Sequence, residues 1–320
     1  MPFLSVVTAC YNEEDNVEEL VRQVSAVMED LSPRALLGAD PEPYAYEHVF
    51  IDNASSDRTV EILRGICAQD SRVKVIVNTR NFGHIRSPFH GLLAAGGDAV
   101  ISIVADLQDP PEVIREFVAQ WEAGYKVVVG VKKESLEKRS MFFVRGLFYR
   151  LIDRLSEVPL VRNFTGFGLY DREVMDTLRE IDDPYPYFRG LICDLGYERA
   201  EIPYSQPGRR RGITKNNFYS LYDMAMLGIT NHSKVPLRLA AMAGFALSII
   251  ALLVALVYLI VKLAFWNTFS LGLAPLVIGV YFFGSVQLFF IGIVGEYIGS
   301  IHTQVYHRPL VIERERINFD

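Results

Sequence analysis

From residue 1 to about 130, short apolar runs alternate with amphipathic stretches. The runs Leu4–Ala9, His48–Ile51, Val73–Val77, Val100–Val104 and Val127–Gly130 predict strands. Val17–Leu31, Thr59–Gln69, Pro88–Ala95 and Pro111–Ala123, lying between them, predict helices. This rhythm predicts an α/β fold, a Rossmann-like and mainly parallel sheet with helices on both faces. Ligands of such sheets bind beyond the carboxyl ends of the strands. That rule selects Tyr11, Asn12 and Glu13 after the first strand, Asp52 after the second, Arg80 and Asn81 after the third, and Asp106 and Gln108 after the fourth.

The pattern then changes. Leu31 to Tyr46 is rich in Pro, Ala and Gly and reads as an excursion loop, whereas "KKESLEKRSMFFVRGLFYRLIDRLS", from about residue 132, reads as a basic and aromatic helix. Asn216 to Thr230 reads as an amphipathic helix leading toward a membrane. Leu239–Val261 and Leu271–Gly295 contain no charged residue, and each exceeds the roughly 20 apolar residues that cross a ~30 Å hydrocarbon core. Two transmembrane helices are therefore expected. Lys234 and Arg238 precede them and Arg308, Arg314 and Arg316 follow, while Ala264–Ser270 between them is uncharged. The positive-inside rule then places both flanks, both termini and the catalytic portion in the cytoplasm of a multi-pass cell-membrane protein. The resulting division is a cytosolic domain at 1–214, a juxtamembrane helix at 215–236, a transmembrane hairpin at 237–298 and a cytosolic tail at 299–320.

Composition narrows the chemistry. The 320 residues carry a net charge of −6, and the basic runs sit beside a membrane span, which argues against nucleic acid as a partner. Cys10, Cys67 and Cys193 are too few and too scattered for a zinc site or a disulfide framework. "MPFLSVVTACYNEE" lacks a basic n-region and does not read as a signal peptide. Two spans leave a homo-oligomer open.

The fourth strand runs into "ISIVADLQDPPE", where oxygen-bearing side chains gather ahead of two prolines. Asp109 reads as an N-cap, with proline in the first helical turn and Glu112 completing a capping box. Asp106 and Gln108 are not needed for capping, and on an extended strand end they point to the same side. Carboxylate and amide oxygens placed so suit a hard divalent ion, Mg²⁺ or Mn²⁺, completed by water and a ligand's phosphate oxygens. A solvated turn is the plainer alternative. Around them, "ACYNEE" supplies an aromatic ring and a carboxylate, "IDNASSDRT" an acid and a helix start, and "NTRNFG" an arginine, a set that can hold a nucleotide. Neither G-x-G-x-x-G after the first strand nor G-x-x-x-x-G-K-[ST] occurs, so a glycine phosphate cradle is excluded.

Together these residues resemble family 2 glycosyltransferases of the GT-A fold, and within them the polyprenyl-phosphate glycosyltransferases of the dolichyl-phosphate mannose synthase and bactoprenol glucosyltransferase kind. The family's "PxYNE", "DDGSxDxT", "RNxG" and "DADLQxPPE" are similar to "ACYNE", "DNASSDRT", "RNFG" and "VADLQDPPE" here, and its "RxxGxSK" to "RRRGITK". The resemblance implies inverting transfer of a sugar from a UDP- or GDP-linked donor to a membrane polyprenyl phosphate, for cell-envelope glycan assembly. It puts Ala9, Tyr11, Glu13, Asp52, Arg80 and Asp106 on nucleotide-binding positions and Asp106 with Gln108 on metal-binding ones. Three departures stand out: Val104 replaces the first acid of "DAD", Asn53 the second acid of "DD", and Gly166 a proposed catalytic aspartate. Asp171 and Asp194 are the candidate substitute bases, although an ionised phosphate acceptor, with its second pKa of about 6, is less in need of one.

An anionic lipid head calls for cations near the bilayer. Lys138, Arg139 and Arg145 on the basic helix, and Arg209, Arg210, Arg211 and Lys215 before the membrane-leading helix, are expected to clamp the acceptor and the leaving diphosphate, with Arg139 and Arg211 acting in catalysis. A general attraction to anionic membrane lipid is the competing account. His84, Arg86 and His90 can approach a diphosphate or a sugar, or simply serve a helix start. Transfer to another lipid acceptor and an inactive membrane scaffold are the alternative functions.

Overall fold

A computed structural model describes residues 2–31, 44–133, 161, 163–206, 235–265, 273–306 and 308–319. The predicted strands form as β1 (Phe3–Cys10), β2 (Ala45–Asp52), β3 (Val73–Asn78), β4 (Ala99–Val104) and β5 (Val127–Lys132). The helices between them are α1 (Val17–Glu29), α2 (Thr59–Cys67), α3 (Gly83–Ala94) and α4 (Ile114–Glu122). Then come β6 (Phe164–Asp171), α5 (Arg172–Ile181), α6 (Phe188–Asp194) and β7 (Arg199–Tyr204), followed by α7 (Val235–Ala264), α8 (Leu273–Val305) and β8 (Glu313–Ile317).

The eight strands share one sheet in the order β7-β5-β6-β4-β1-β2-β3-β8. The central strands read as near-continuous apolar runs because both of their faces are covered. One face packs on Leu20 and Val24 of α1, Leu63 of α2 and Phe117 of α4, the other on Phe89 and Leu92 of α3, Met175 and Leu178 of α5 and Leu191 of α6. In α1 the buried residues Val17, Leu20, Val24, Val27 and Met28 recur at three- and four-residue spacing, so one stripe faces the sheet. Removing such a side chain, as in Leu20→Ala, costs about 2–5 kcal/mol.

The sheet is mainly parallel, as expected, with antiparallel additions: β1 pairs parallel with β2 and β4, β2 with β3, and β5 with β7, while β6 runs antiparallel to β4 and β5, and β8 antiparallel to β3. One expectation is corrected. Helix α3 starts at Gly83 instead of Pro88, which lies inside it. The Asn81 side chain accepts from the Gly83 N–H at 2.8 Å and sets the start, while Pro88 forgoes one early backbone bond.

Helices α7 and α8 form the expected apolar hairpin, with mean hydropathy 2.2 over Val235–Val254 and 1.9 over Ile278–Val305. Phe245, Leu252 and Tyr281 among others are exposed, as side chains facing hydrocarbon would be. A few residues after α8 the chain rejoins the sheet as β8. Of the excursion loop expected from Leu31 to Tyr46, residues 32–43 lie outside the described residues and Ala45 and Tyr46 already belong to β2; 134–156 of the expected basic aromatic helix and the whole of the expected amphipathic helix lie outside the described residues.

Candidate active site

Register aligns the strand exits. Ala9 pairs with Ile51 on one side and Val104 on the other, and Asp52 pairs with Cys10 and Val77. The chain therefore leaves β1, β2, β3 and β4 along one edge of the sheet. Each exit passes through a left-handed residue: Asn12 at φ 55°, Ala54 at 61°, Gly83 at 86° and Leu107 at 59°. Glycine takes this conformation without strain and asparagine with little, whereas Ala54 and Leu107 hold it at roughly 1–2 kcal/mol each. Strain gathered at one edge of a fold is a mark of function.

Hydrogen bonds lace the first two exits together. The Asn12 N–H donates to Ser55 Oγ at 2.9 Å, the Glu13 N–H to Thr59 Oγ1 at 2.9 Å, and the Ser56 N–H to Asn12 Oδ1 at 2.8 Å. Asp57 accepts from the Thr59 hydroxyl at 2.6 Å and its N–H at 3.0 Å; burial opposes its charge, but these bonds hold its carboxyl below the usual range. Tyr11 and Glu13 are half-buried, and the Glu13 carboxylate accepts from Asn16 Nδ2 at 2.7 Å. Asp52 has no exposed surface. Ser55 donates to it through both N–H, at 2.9 Å, and hydroxyl, and burial raises its pKa.

Asn53, where the sequence pattern leads one to expect an acid, ties the second exit to the third. Its Nδ2 donates to Asn81 Oδ1 at 2.9 Å and Gly83 O at 3.1 Å, and its Oδ1 accepts from the Phe82 N–H at 2.8 Å and Asn78 Nδ2 at 3.3 Å. The position uses both ends of an amide. Arg80 is exposed at the same exit, its guanidinium 4.0 Å over the Phe82 ring and bonded to Asn81 O at 3.0 Å. The strand-end rule selects Asn12, and Asn53 stands out only as a departure from the acidic pattern; Ser55 and Asp57 are missed by sequence reasoning, although the polar clustering of "DNASSD" is the signal for such turns.

At the fourth exit β4 ends at Val104, and Asp106 does not continue it as an extended strand. With Leu107 left-handed, the chain turns so that the Gln108 N–H donates to Asp106 Oδ1 at 3.2 Å. Asp106 and Gln108 thus belong to one tight turn. Asp109 is not an N-cap: it is 2 % exposed, accepts from Tyr204 Oη at 2.8 Å, and its pKa is pushed up to about 6 by burial. The following turn begins at Pro110 without a side-chain cap, because the Asp109 carboxylate is spent on β7.

A carboxylate and an amide oxygen on one turn are hard donors, and Mg²⁺ or Mn²⁺ commonly takes few protein ligands and completes its shell with water and phosphate. The donor set therefore fits such an ion. It is sparse, since 42 % exposed Val104 contributes no oxygen and no three His, Cys, Asp or Glu side chains converge among the described residues.

Gly166 lies near the start of β6, which runs antiparallel to β4 and so begins beside the site. Its φ of 102° favours glycine, so an aspartate there would be strained. Asp171 sits at the other end of β6, opposite Ala99, where it caps α5 through the Glu173 N–H at 3.0 Å and accepts from Trp121 Nε1 at 2.7 Å. That geometry removes it as a base. Asp194 is exposed at the end of α6. His90 contacts Glu313 of β8 at 2.5 Å, and Glu313 pairs with Asn78 at the end of β3. Lys138, Arg139, Arg145, Arg209, Arg210, Arg211 and Lys215 lie outside the described residues.

Comparison with known proteins gives a consistent picture. The profile of glycosyl transferase family 2 matches residues 5–179. YkcC of Bacillus subtilis, described as an uncharacterized glycosyltransferase, is 34% identical over 96% of this chain and 92% of its own. The bactoprenol glucosyl transferase of Shigella phage SfV is 32% identical over 98% of this chain and 99% of its own. Among solved structures, mannosyl-3-phosphoglycerate synthase from Rubrobacter xylanophilus is similar with a TM-score of 0.46 and 18% identity, covering 76% of this chain and 75% of that one.

Proposed function

The chain belongs to glycosyl transferase family 2, enzymes that take a sugar from a nucleotide diphosphate donor, and we propose that its acceptor is a membrane polyprenyl phosphate. The observation that carries the reading is the in-register exit of β1, β2 and β4. Tyr11 and Asp106 stand two residues beyond the paired Ala9 and Val104, and Asp52 stands in the strand beside them. A base and ribose would lie against Ala9, Tyr11, Glu13 and the loop that Asp52 folds, with Arg80 toward the phosphates. A lipid acceptor is supported by the apolar hairpin and by the phage relative's name.

Asp106 and Gln108 would hold Mg²⁺ or Mn²⁺. Bound there, the ion would neutralise charge developing on the leaving diphosphate without a proton transfer. The acceptor's phosphate, with a second pKa of about 6, is already largely ionised at neutral pH, so a residue such as Gly166 can stand where a base would otherwise be needed. Direct attack by that oxygen inverts the anomeric carbon. Lys138, Arg139, Arg145, Arg209, Arg211 and Lys215 would meet the lipid head, which the positive-inside rule puts at the cytoplasmic face.

The test is to supply the purified full chain, in nanodiscs containing polyprenyl phosphate, with radiolabelled UDP- or GDP-sugars and extract the lipid. Label that enters lipid and is released by mild acid supports a polyprenyl phosphosugar. Acid-stable labelled lipid would instead favour a glycolipid or diacylglycerol acceptor.

A further inference from the structure

Four buried side-chain polar atoms among the described residues have no hydrogen-bond partner: Tyr46 Oη, His48 Nδ1, Asn78 Oδ1 and Arg86 Nε. Three of them belong to neutral groups, since burial lowers the pKa of His48 to about 3. Arg86 is permanently charged. It lies in the first turn of α3, just past the β3 exit, and is half-buried. Its guanidinium carbon sits 5.4 Å from the centroid of the Tyr185 ring, and among the described residues it has no ion-pair partner. Beside Tyr185 in sequence, Asp183 Oδ1 accepts from the Tyr185 N–H at 2.9 Å.

The surroundings place this cation on the site side of the fold. One turn along α3, Phe89 packs on Phe188 with ring centroids 6.0 Å apart, and Phe188 also packs edge-on against Tyr170 of β6 at 5.0 Å. Phe188 Cδ1 lies 3.8 Å from where a Cβ on Gly166 would be. The segment from Tyr185 to Phe188 thus bridges the first turn of α3 to the start of β6, beside the exit of β4. At Gly91, an added Cβ would stand 2.8 Å from Ile51 Cγ2, so α3 is pressed directly on β2.

A buried donor on a charged group is costly when unmatched, and a guanidinium is weakly hydrated and shaped to receive phosphate oxygens in pairs. We propose that Arg86 is a receptor for a substrate phosphate at this site. The inference rests on the reading of the chain as a polyprenyl-phosphate glycosyltransferase. The oxyanion it binds belongs to the donor's diphosphate or to the acceptor's monophosphate, which share this chemistry.

The experiment uses the full chain in phosphatidylcholine nanodiscs, as wild type, Arg86→Gln and Arg86→Lys. One arm titrates UDP and GDP calorimetrically in the presence of Mn²⁺. The other compares thermal stabilisation by polyprenyl monophosphate with that by the corresponding polyprenol, which lacks the phosphate. The expected result is that Arg86→Gln weakens binding about tenfold (about 1.4 kcal/mol) in one arm, leaves the other within about twofold, and is partly rescued by Arg86→Lys. The affected arm identifies the source of the phosphate. Unchanged binding in both arms overturns the proposal, as does a parallel loss in both accompanied by a lower melting temperature of the ligand-free variant, which would make Arg86 a packing partner of Tyr185. If the wild type binds neither nucleotide nor discriminates phosphate from alcohol, the parent reading itself fails. Wild-type binding that Arg86→Gln does not alter sinks this inference alone.

Discussion

At the scale of single residues, the departures from the family's acidic pattern have local causes. Asn53 donates to two oxygens and accepts from two N–H groups, a set that no carboxylate can match. Asn53→Asp would set an anion against Asn81 Oδ1 and Gly83 O, at a cost of about 1–3 kcal/mol. A lower melting temperature, with no gain in turnover, is the expected outcome. Gly166→Asp should likewise lower stability, by about 1–3 kcal/mol for a side chain forced to its left-handed φ, without raising the rate. A rate gain would instead make that position a missing base. The sequence shows which residues are polar at each strand end, but not how a turn spends them. Asp109 looks like a helix cap by spacing, and only its distant partner Tyr204 reveals otherwise.

At the scale of elements, β1 to β5 and their helices were legible because buried parallel strands are continuous apolar runs and the helices between them carry one apolar stripe. β6 and β8 were not. "FTGFGLYD" has two glycines, and "ERERI" alternates half-buried glutamates with exposed arginines, charges that befit an edge strand kept from further pairing. β8 is held in place by the Thr79 N–H donating to Ile312 O at 2.9 Å, by Asn318 Nδ2 donating to Cys67 O at the end of α2 and Val73 O of β3 at 2.9 Å each, and by Glu313, which bonds Arg316 of its own strand and His90 of α3. The Arg316 hydrogen bond first, and His90 after it, outweigh burial and pull Glu313 from its ordinary 4.5 down to about 2. A carboxyl depressed by folding adds stability above its ordinary pKa and loses it as pH falls toward the folded value. Melting temperature should therefore drop between pH 4.5 and 2, and Glu313→Gln should remove part of that drop while lowering stability at neutral pH. Equal acid sensitivity in wild type and variant would contradict this role.

At the scale of the whole molecule, the second apolar helix is followed within a few residues by β8, so the β3 side of the sheet is joined closely to that span. The hairpin was legible from length and lack of charge, while its return into the sheet was not, since strand pairing across so long a separation leaves no local pattern. That arrangement suits a reaction between a soluble donor and a lipid head, provided Asp106 and Gln108 bring the two together through a divalent ion. Calorimetric titration of UDP and GDP into the full chain, with and without Mn²⁺, in wild type and Asp106→Ala, tests this most directly. Mn²⁺ should tighten binding in the wild type and have no effect in a variant that still folds and inserts. Binding that ignores Mn²⁺ in the wild type, or keeps its Mn²⁺ dependence after Asp106→Ala, would contradict it.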